Sequence, residues 1–159
     1  MGMAITANLL EAFLKCRTKC FLRARGEVET DNTHANWVRS KNEAFRCEGI
    51  RRLVGGAATD NGATAKESTD SGRLGHLDLV PDYTAKSENL QSCCHAVERI
   101  PSAGQGRTAQ FVPIRFVFSD KVTRHDKLLL AFDALILSKM LGRKVTFGRI
   151  VHGDDYTSR

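Results

Sequence analysis

The sequence predicts an α/β domain of the α+β kind, with helices laid against a small sheet, and three observations carry that expectation. Residues 6–25 and 34–54 repeat their apolar side chains at helical spacing. Two runs rich in β-branched and aromatic residues, between Leu90 and Arg115, are joined by a turn holding Pro101, Gly104 and Gly106, the local signal for an antiparallel hairpin. A capped helical stretch from Thr123 to Leu141 then leads into a short extended run, Val145 to Val151. At 159 residues the chain is one domain by length, large enough to bury a real core.

In the first helical stretch Leu9, Phe13, Cys16 and Cys20 form the stripe, and Leu10, Leu14 and Phe21 widen it. Thr6 is placed to cap it and Gly26 to end it. Lys15, Lys19 and Arg23 stand four apart on another face, where contact with a phosphate backbone and a solvated helix face both fit. Cys16 and Cys20 are spaced either to share a metal or to pack as small core residues.

The second helix, His34 to Val54, gathers Trp37, Ala44, Cys47, Ile50 and Val54 on one side, with its arginines and Lys41 mostly elsewhere. Gly55 to Gly75 is rich in Gly, Ala, Thr, Ser and Asp and reads as a flexible loop with one weak helical turn near Ala65. Its glycines are not a phosphate loop, because no strand precedes them and no Gly-Lys-Ser/Thr follows. His76 to Thr84 alternates as a strand, and Pro81 assigns it to a sheet edge or a strand end. Thr123 and Asp126 have capping-box spacing ahead of the last helix, whose wide apolar face runs from Leu128 to Met140. Asp126 and Asp133 fall on its other side and read as solvent-facing, and Gly142 stops the helix.

Net charge is +6 and the pI is near 9.3, which favours an anionic partner without naming one. Apolar residues at 42% and charged residues at 26% argue against disorder throughout. No apolar run approaches the ~18 residues that span a bilayer, since Asp133 interrupts the longest. The first residues lack the basic and apolar regions of a signal peptide, so a cytoplasmic protein with no membrane partner is expected. Five cysteines, an odd number, then imply reduced thiols rather than a disulfide framework.

Several stretches carry a resemblance. They are Phe13-Leu14-Lys15-Cys16-Arg17 in the first helix, Asn42-Glu43-Ala44-Phe45-Arg46 in the second, and the hairpin ending in Val112-Pro113-Ile114-Arg115-Phe116. The helix beginning Asp126-Lys127 and the closing Gly148-Arg149-Ile150-Val151-His152-Gly153 complete the set. In order and spacing the chain resembles the RecB-like nucleases of the PD-(D/E)XK superfamily, which include the CRISPR-associated RecB-type exonucleases.

The resemblance implies a small mixed central sheet flanked by helices, a restriction-endonuclease-like core, with the active site on the hairpin. In that family one hairpin strand supplies a metal-binding Asp, and the other a Glu or Asp two residues before a Lys. Here the Asp slot falls on His95, in Cys94-His95-Ala96-Val97-Glu98, and the acid-x-Lys slots fall on Arg115 and Val117. The family's Gln on the next helix falls near Leu129. The catalytic candidates are therefore His95, Glu98 and Arg115, and the metal candidates His95, Glu43 and Asp78. Asp78 belongs to a competing register, Gly75-His76-Leu77-Asp78. Candidate nucleic-acid contacts are Lys15, Lys19, Arg23 and Lys127.

If active, the site would use Mg²⁺ or Mn²⁺ to activate water and neutralise charge at phosphorus. His95 in place of Asp favours a softer ion over Mg²⁺, and Arg115 in the acid slot repels any cation. An iron-sulfur cluster is not expected, because the relatives that hold one need three further cysteines toward the C-terminus and none follows Cys94. Two functions follow: a DNA-processing nuclease of weak or lost activity, or an inactive nuclease-fold module that binds nucleic acid or a protein partner. Relatives of this kind often continue into further domains, so 1–159 is either a single whole domain or a piece of a longer protein.

Overall fold

The helical pattern over residues 6–25 folds as two helices rather than one. The computed structural model describes residues 3–27, 32–57, 78–101 and 109–158. A two-residue strand β1 (Ile5–Thr6) leads into α1 (Ala7–Lys15), and α2 (Arg17–Ala24) follows after a break at Cys16. Cys16 is extended, at φ −162° and ψ 119°. Its N–H still closes α1 on the Ala12 carbonyl at 2.7 Å, while its own carbonyl accepts from the Cys20 N–H at 3.1 Å to start α2. Thr6 caps α1 as expected, its hydroxyl accepting from the Leu9 N–H at 3.2 Å, and Gly26 leaves α2 in the left-handed region at φ 80°.

α3 (Thr33–Ala57) is followed by β2 (Leu79–Ser87), β3 (Leu90–Ile100) and β4 (Gln110–Val117), then α4 (Arg124–Leu141), β5 (Arg149–His152) and β6 (Thr157–Ser158). Of the expected loop over 55–75, 58–75 lies outside the described residues, as do Gly104 and Gly106 of the hairpin turn. Of the strand expected at 76–84, 76 and 77 lie outside the described residues; β2 covers the rest from Leu79 and runs on to Ser87, ahead of a tight turn at Glu88 with φ 51°. The strand expected at 145–151 begins only at Arg149, because Val145 turns back onto α4, its N–H donating to the Ser138 hydroxyl at 2.9 Å.

The sheet is mixed and centred on β3. One edge of β3 pairs antiparallel with β2 along its length, from Ser87↔Leu90 to Leu79↔Glu98. The other edge is shared between β4, antiparallel from Ala96↔Ile114 to Ile100↔Gln110, and parallel β1 at Leu90 and Gln91. β5 returns parallel to β4 through α4, and β6 pairs antiparallel with β5. Pro81 sits on the edge strand, where its missing N–H costs no ladder bond.

Helices cover both faces. On one, Val80, Tyr83, Ala85, Cys94, Val97 and Phe111 pack with Ile136 and Leu137 of α4. On the other, Ala96, Ile114, Phe116 and Val151 pack with Phe45 of α3. Gly49 brings α3 close, since a Cβ there would overlap the buried Phe116 ring. The capping box of Thr123 and Asp126 holds, and Gly142 ends α4 at φ 64°.

Strand alternation slips at one place. Cys94 and Val97, three apart, join the α4-side core together, and so do Val80 and Tyr83 on β2. The pairs Pro81↔Ala96 and Tyr83↔Cys94 set Asp82 opposite His95, and Asp82 is left-handed at φ 49°. The slip turns both side chains toward α3.

Candidate functional site

A cavity of about 490 Å³ opens beside this slip, between α1, α3 and the sheet. α1 contributes Asn8 and Glu11, α3 contributes Arg39, Asn42, Glu43 and Arg46, and the sheet contributes Asp82, Cys93, His95 and Arg115. The helical spacing of Arg39, Asn42, Glu43 and Arg46 places them on one face of α3, next to the face that buries Phe45 and Gly49.

Arg46 links the two carboxylates on this side of the cavity. Its Nε donates to Glu43 Oε2 at 3.0 Å and its Nη2 to Glu43 Oε1, while Nη1 reaches across to Asp82 Oδ1. The Arg46 hydrogen bonds hold the Glu43 carboxyl below its ordinary range, and Glu43 in turn raises Arg46. A guanidinium already holds both carboxylates there, where a divalent ion would need them free.

His95 is held from behind. Its Nδ1 accepts the Phe116 backbone N–H at 3.0 Å, at the point where β3 and β4 stop pairing. The imidazole lies parallel to the Phe116 ring, 6.2 Å between centroids. Burial first, then Arg115 and Arg46, push its pKa down from 6.5 to about 3, so the ring is neutral. With Nδ1 accepting, the proton resides on Nε2, which leaves a hydrogen-bond donor and no free lone pair for a metal.

Arg115 is committed elsewhere. It is 9% exposed and grips Asp133 of α4 through Nε–Oδ2 at 2.5 Å and Nη2–Oδ1 at 3.0 Å. Ser92 donates its hydroxyl to the same carboxylate. Asp133 is therefore fully buried, 0% exposed, rather than solvent-facing as the helical pattern suggests. The buried charge is tolerated because a bidentate guanidinium and a hydroxyl satisfy it.

The candidates separate into two groups. His95, Arg115 and Glu43 share the cavity described above. Asp78 and Glu98 line a different cavity of about 290 Å³, with Leu53 and Arg99, that has no lining residue in common with the first. There Glu98 pairs with Arg149 at 2.6 Å and Asp78 with Arg99 at 3.8 Å. Among the described residues no group of three or more His, Cys, Asp and Glu side chains is arranged to hold a metal ion.

The proposed phosphate contacts on the first helical stretch do not form one helical row. The break at Cys16 puts Lys15 and Lys19 on different helices, Lys15 pairs with Glu11 at 2.6 Å, and Arg23 donates to the Asn8 carbonyl at 3.3 Å. Lys127 is exposed in the first turn of α4. Cys16 is exposed rather than packed in the core, while Cys20 is half-buried, and the described thiols are all free.

Sequence reasoning missed Arg46 as the bridging cation and Asp82 as its second partner. The signal for Arg46 was its place three residues after Glu43, within ion-pair reach on a helix. Asp82 follows Pro81, a turn-prone dipeptide that marks a break in a strand. No family model matches the chain and no curated protein matches it. No helix of the described residues is long and apolar enough to cross a membrane.

Proposed function

We propose that this chain is a RecB-like scaffold of the PD-(D/E)XK type that binds DNA without cutting it, its cleft having exchanged a metal centre for internal ion pairs. The scaffold reading is supported by the order of helices followed by three antiparallel strands, a helix and a parallel return strand, with His95 and Arg115 on neighbouring strands facing one cavity. The observation that carries the loss of cleavage is Arg46, which binds Glu43 and Asp82 together.

The donor set does not fit a divalent cation. Of its three carboxylates, Glu43 and Asp82 are neutralised by a guanidinium and Glu11 by Lys15, its imidazole presents an N–H, and the position of the family's second acid holds Arg115. A chain of net charge +6 remains suited to a polyanion through its surface.

The test is incubation with labelled single- and double-stranded DNA in Mg²⁺ or Mn²⁺ over a salt series. Binding that weakens steeply with salt, with the DNA left intact, is the expected result. Metal-dependent degradation that is lost in the pair Glu43→Gln, Asp82→Asn would overturn the reading.

A further inference from the structure

We infer that the elbow formed by α1 and α2 is a stacking platform for single-stranded nucleic acid, outside the cleft. The inference rests on the DNA-binding reading above and adds to it a location and a strand preference. In the cleft, Arg46 is already paired with Glu43 and Asp82, and Arg115 with Asp133 of α4, so these guanidiniums are matched from within the protein. Residues 11–27, by contrast, hold five cations, Lys15, Arg17, Lys19, Arg23 and Arg25, against two acids, Glu27 and the Glu11 that pairs with Lys15. Five cations less two acids leave +3, half of the net +6, in this one segment.

The apolar surface here has an unusual disposition. α2 buries none of its residues, and an eight-residue helix gains little from its own backbone bonds. Phe13 is 48% exposed and Phe21 57%. Each ring has a guanidinium four residues later, Arg17 at 5.8 Å from the Phe13 centroid and Arg25 at 5.6 Å from that of Phe21. The first of these contacts spans the break at Cys16. A ring with one face on a guanidinium and much of the rest in water can take an unpaired base on its open side, with the cation near the phosphate. A duplex keeps its base faces stacked inside and cannot use the rings. An anionic membrane would match the charge, but Phe21 and Leu22 are the only exposed large apolar residues of α2 and are flanked by Arg17, Lys19 and Arg23. An eight-residue helix with two such side chains has little apolar area to bury in a bilayer interface.

The test is fluorescence anisotropy of the full chain with a labelled oligothymidylate, a duplex of equal length and vesicles rich in phosphatidylserine, over a salt series. The parent is expected to prefer the single strand. Phe13→Ala with Phe21→Ala should weaken it about tenfold per ring with an unchanged salt slope, and Trp at both positions should restore binding. Arg17→Gln with Arg25→Gln should instead make the slope shallower by about 0.7 per cation, which keeps the question open to test if the alanine pair folds poorly. A parent that binds DNA equally well with both rings removed overturns the platform and leaves the DNA-binding reading standing. A parent that binds neither form of DNA overturns both. Tighter binding to vesicles than to the oligonucleotide, abolished by the same alanines, overturns the platform in favour of a membrane surface.

Discussion

At the scale of single residues, the cleft is defined by which charges are already matched. Arg115 and Asp133 form a buried pair in which the carboxylate has no access to water. Removing one partner strands the other, so Arg115→Ala should lower unfolding stability by about 3–5 kcal/mol in urea denaturation. Replacing both with apolar residues of similar volume should cost far less, because no orphan charge remains. His95 gives a pH signature. Its pKa is 6.5 when unperturbed and about 3 in the fold, so between those values the unfolded chain binds a proton that the native state does not. The stability it contributes is complete above pH 6.5 and is lost as pH falls toward 3, by up to about 1.4 kcal/mol per unit. Urea midpoints at pH 7.5, 6 and 5 should fall more steeply for the parent than for His95→Gln, and equal slopes would refute this assignment. His95 and Arg115 were singled out by the hairpin slots that the family resemblance assigns to them. The sequence concealed their partners, because the Arg115–Asp133 pair spans 18 residues and the Arg46–Asp82 pair 36, and no local spacing reports such contacts.

At the scale of elements, local rules were reliable where the chemistry was local. The Thr6 and Thr123 caps, the stops at Gly26 and Gly142 and the edge position of Pro81 all follow from side chains acting on their own backbone neighbourhood. Two features were not legible. The break at Cys16 occurs without Gly or Pro, with apolar spacing continuing across it. The slip at Asp82 and His95 is a property of two strands together and breaks the period-two pattern on both. The seating of α3 depends on Gly49 lying against Phe116, whose backbone N–H also fixes His95. An alanine there would gain about 1 kcal/mol of helix propensity but overpack a buried ring by about 1–3 kcal/mol. Gly49→Ala is therefore expected to lower the melting temperature and to perturb the His95 imidazole in NMR spectra. A stabilised protein with an unchanged His95 resonance would show that the close approach is unimportant.

At the scale of the whole molecule, the helices and strands were readable from their 3.6- and two-residue periods, whereas the small mixed sheet flanked by helices was what the family resemblance implied. The cleft it builds is polar and charged yet internally neutralised, with Arg46 as its resident cation. We propose that this guanidinium holds the carboxylates that a metal ion would need. Isothermal titration of the parent with Mn²⁺ addresses it most directly. The account predicts no saturable uptake below about millimolar concentration, where each ligand carboxylate must first be released from a charge-assisted pair. Saturable binding in the micromolar range that disappears in Glu43→Gln, Asp82→Asn would contradict it.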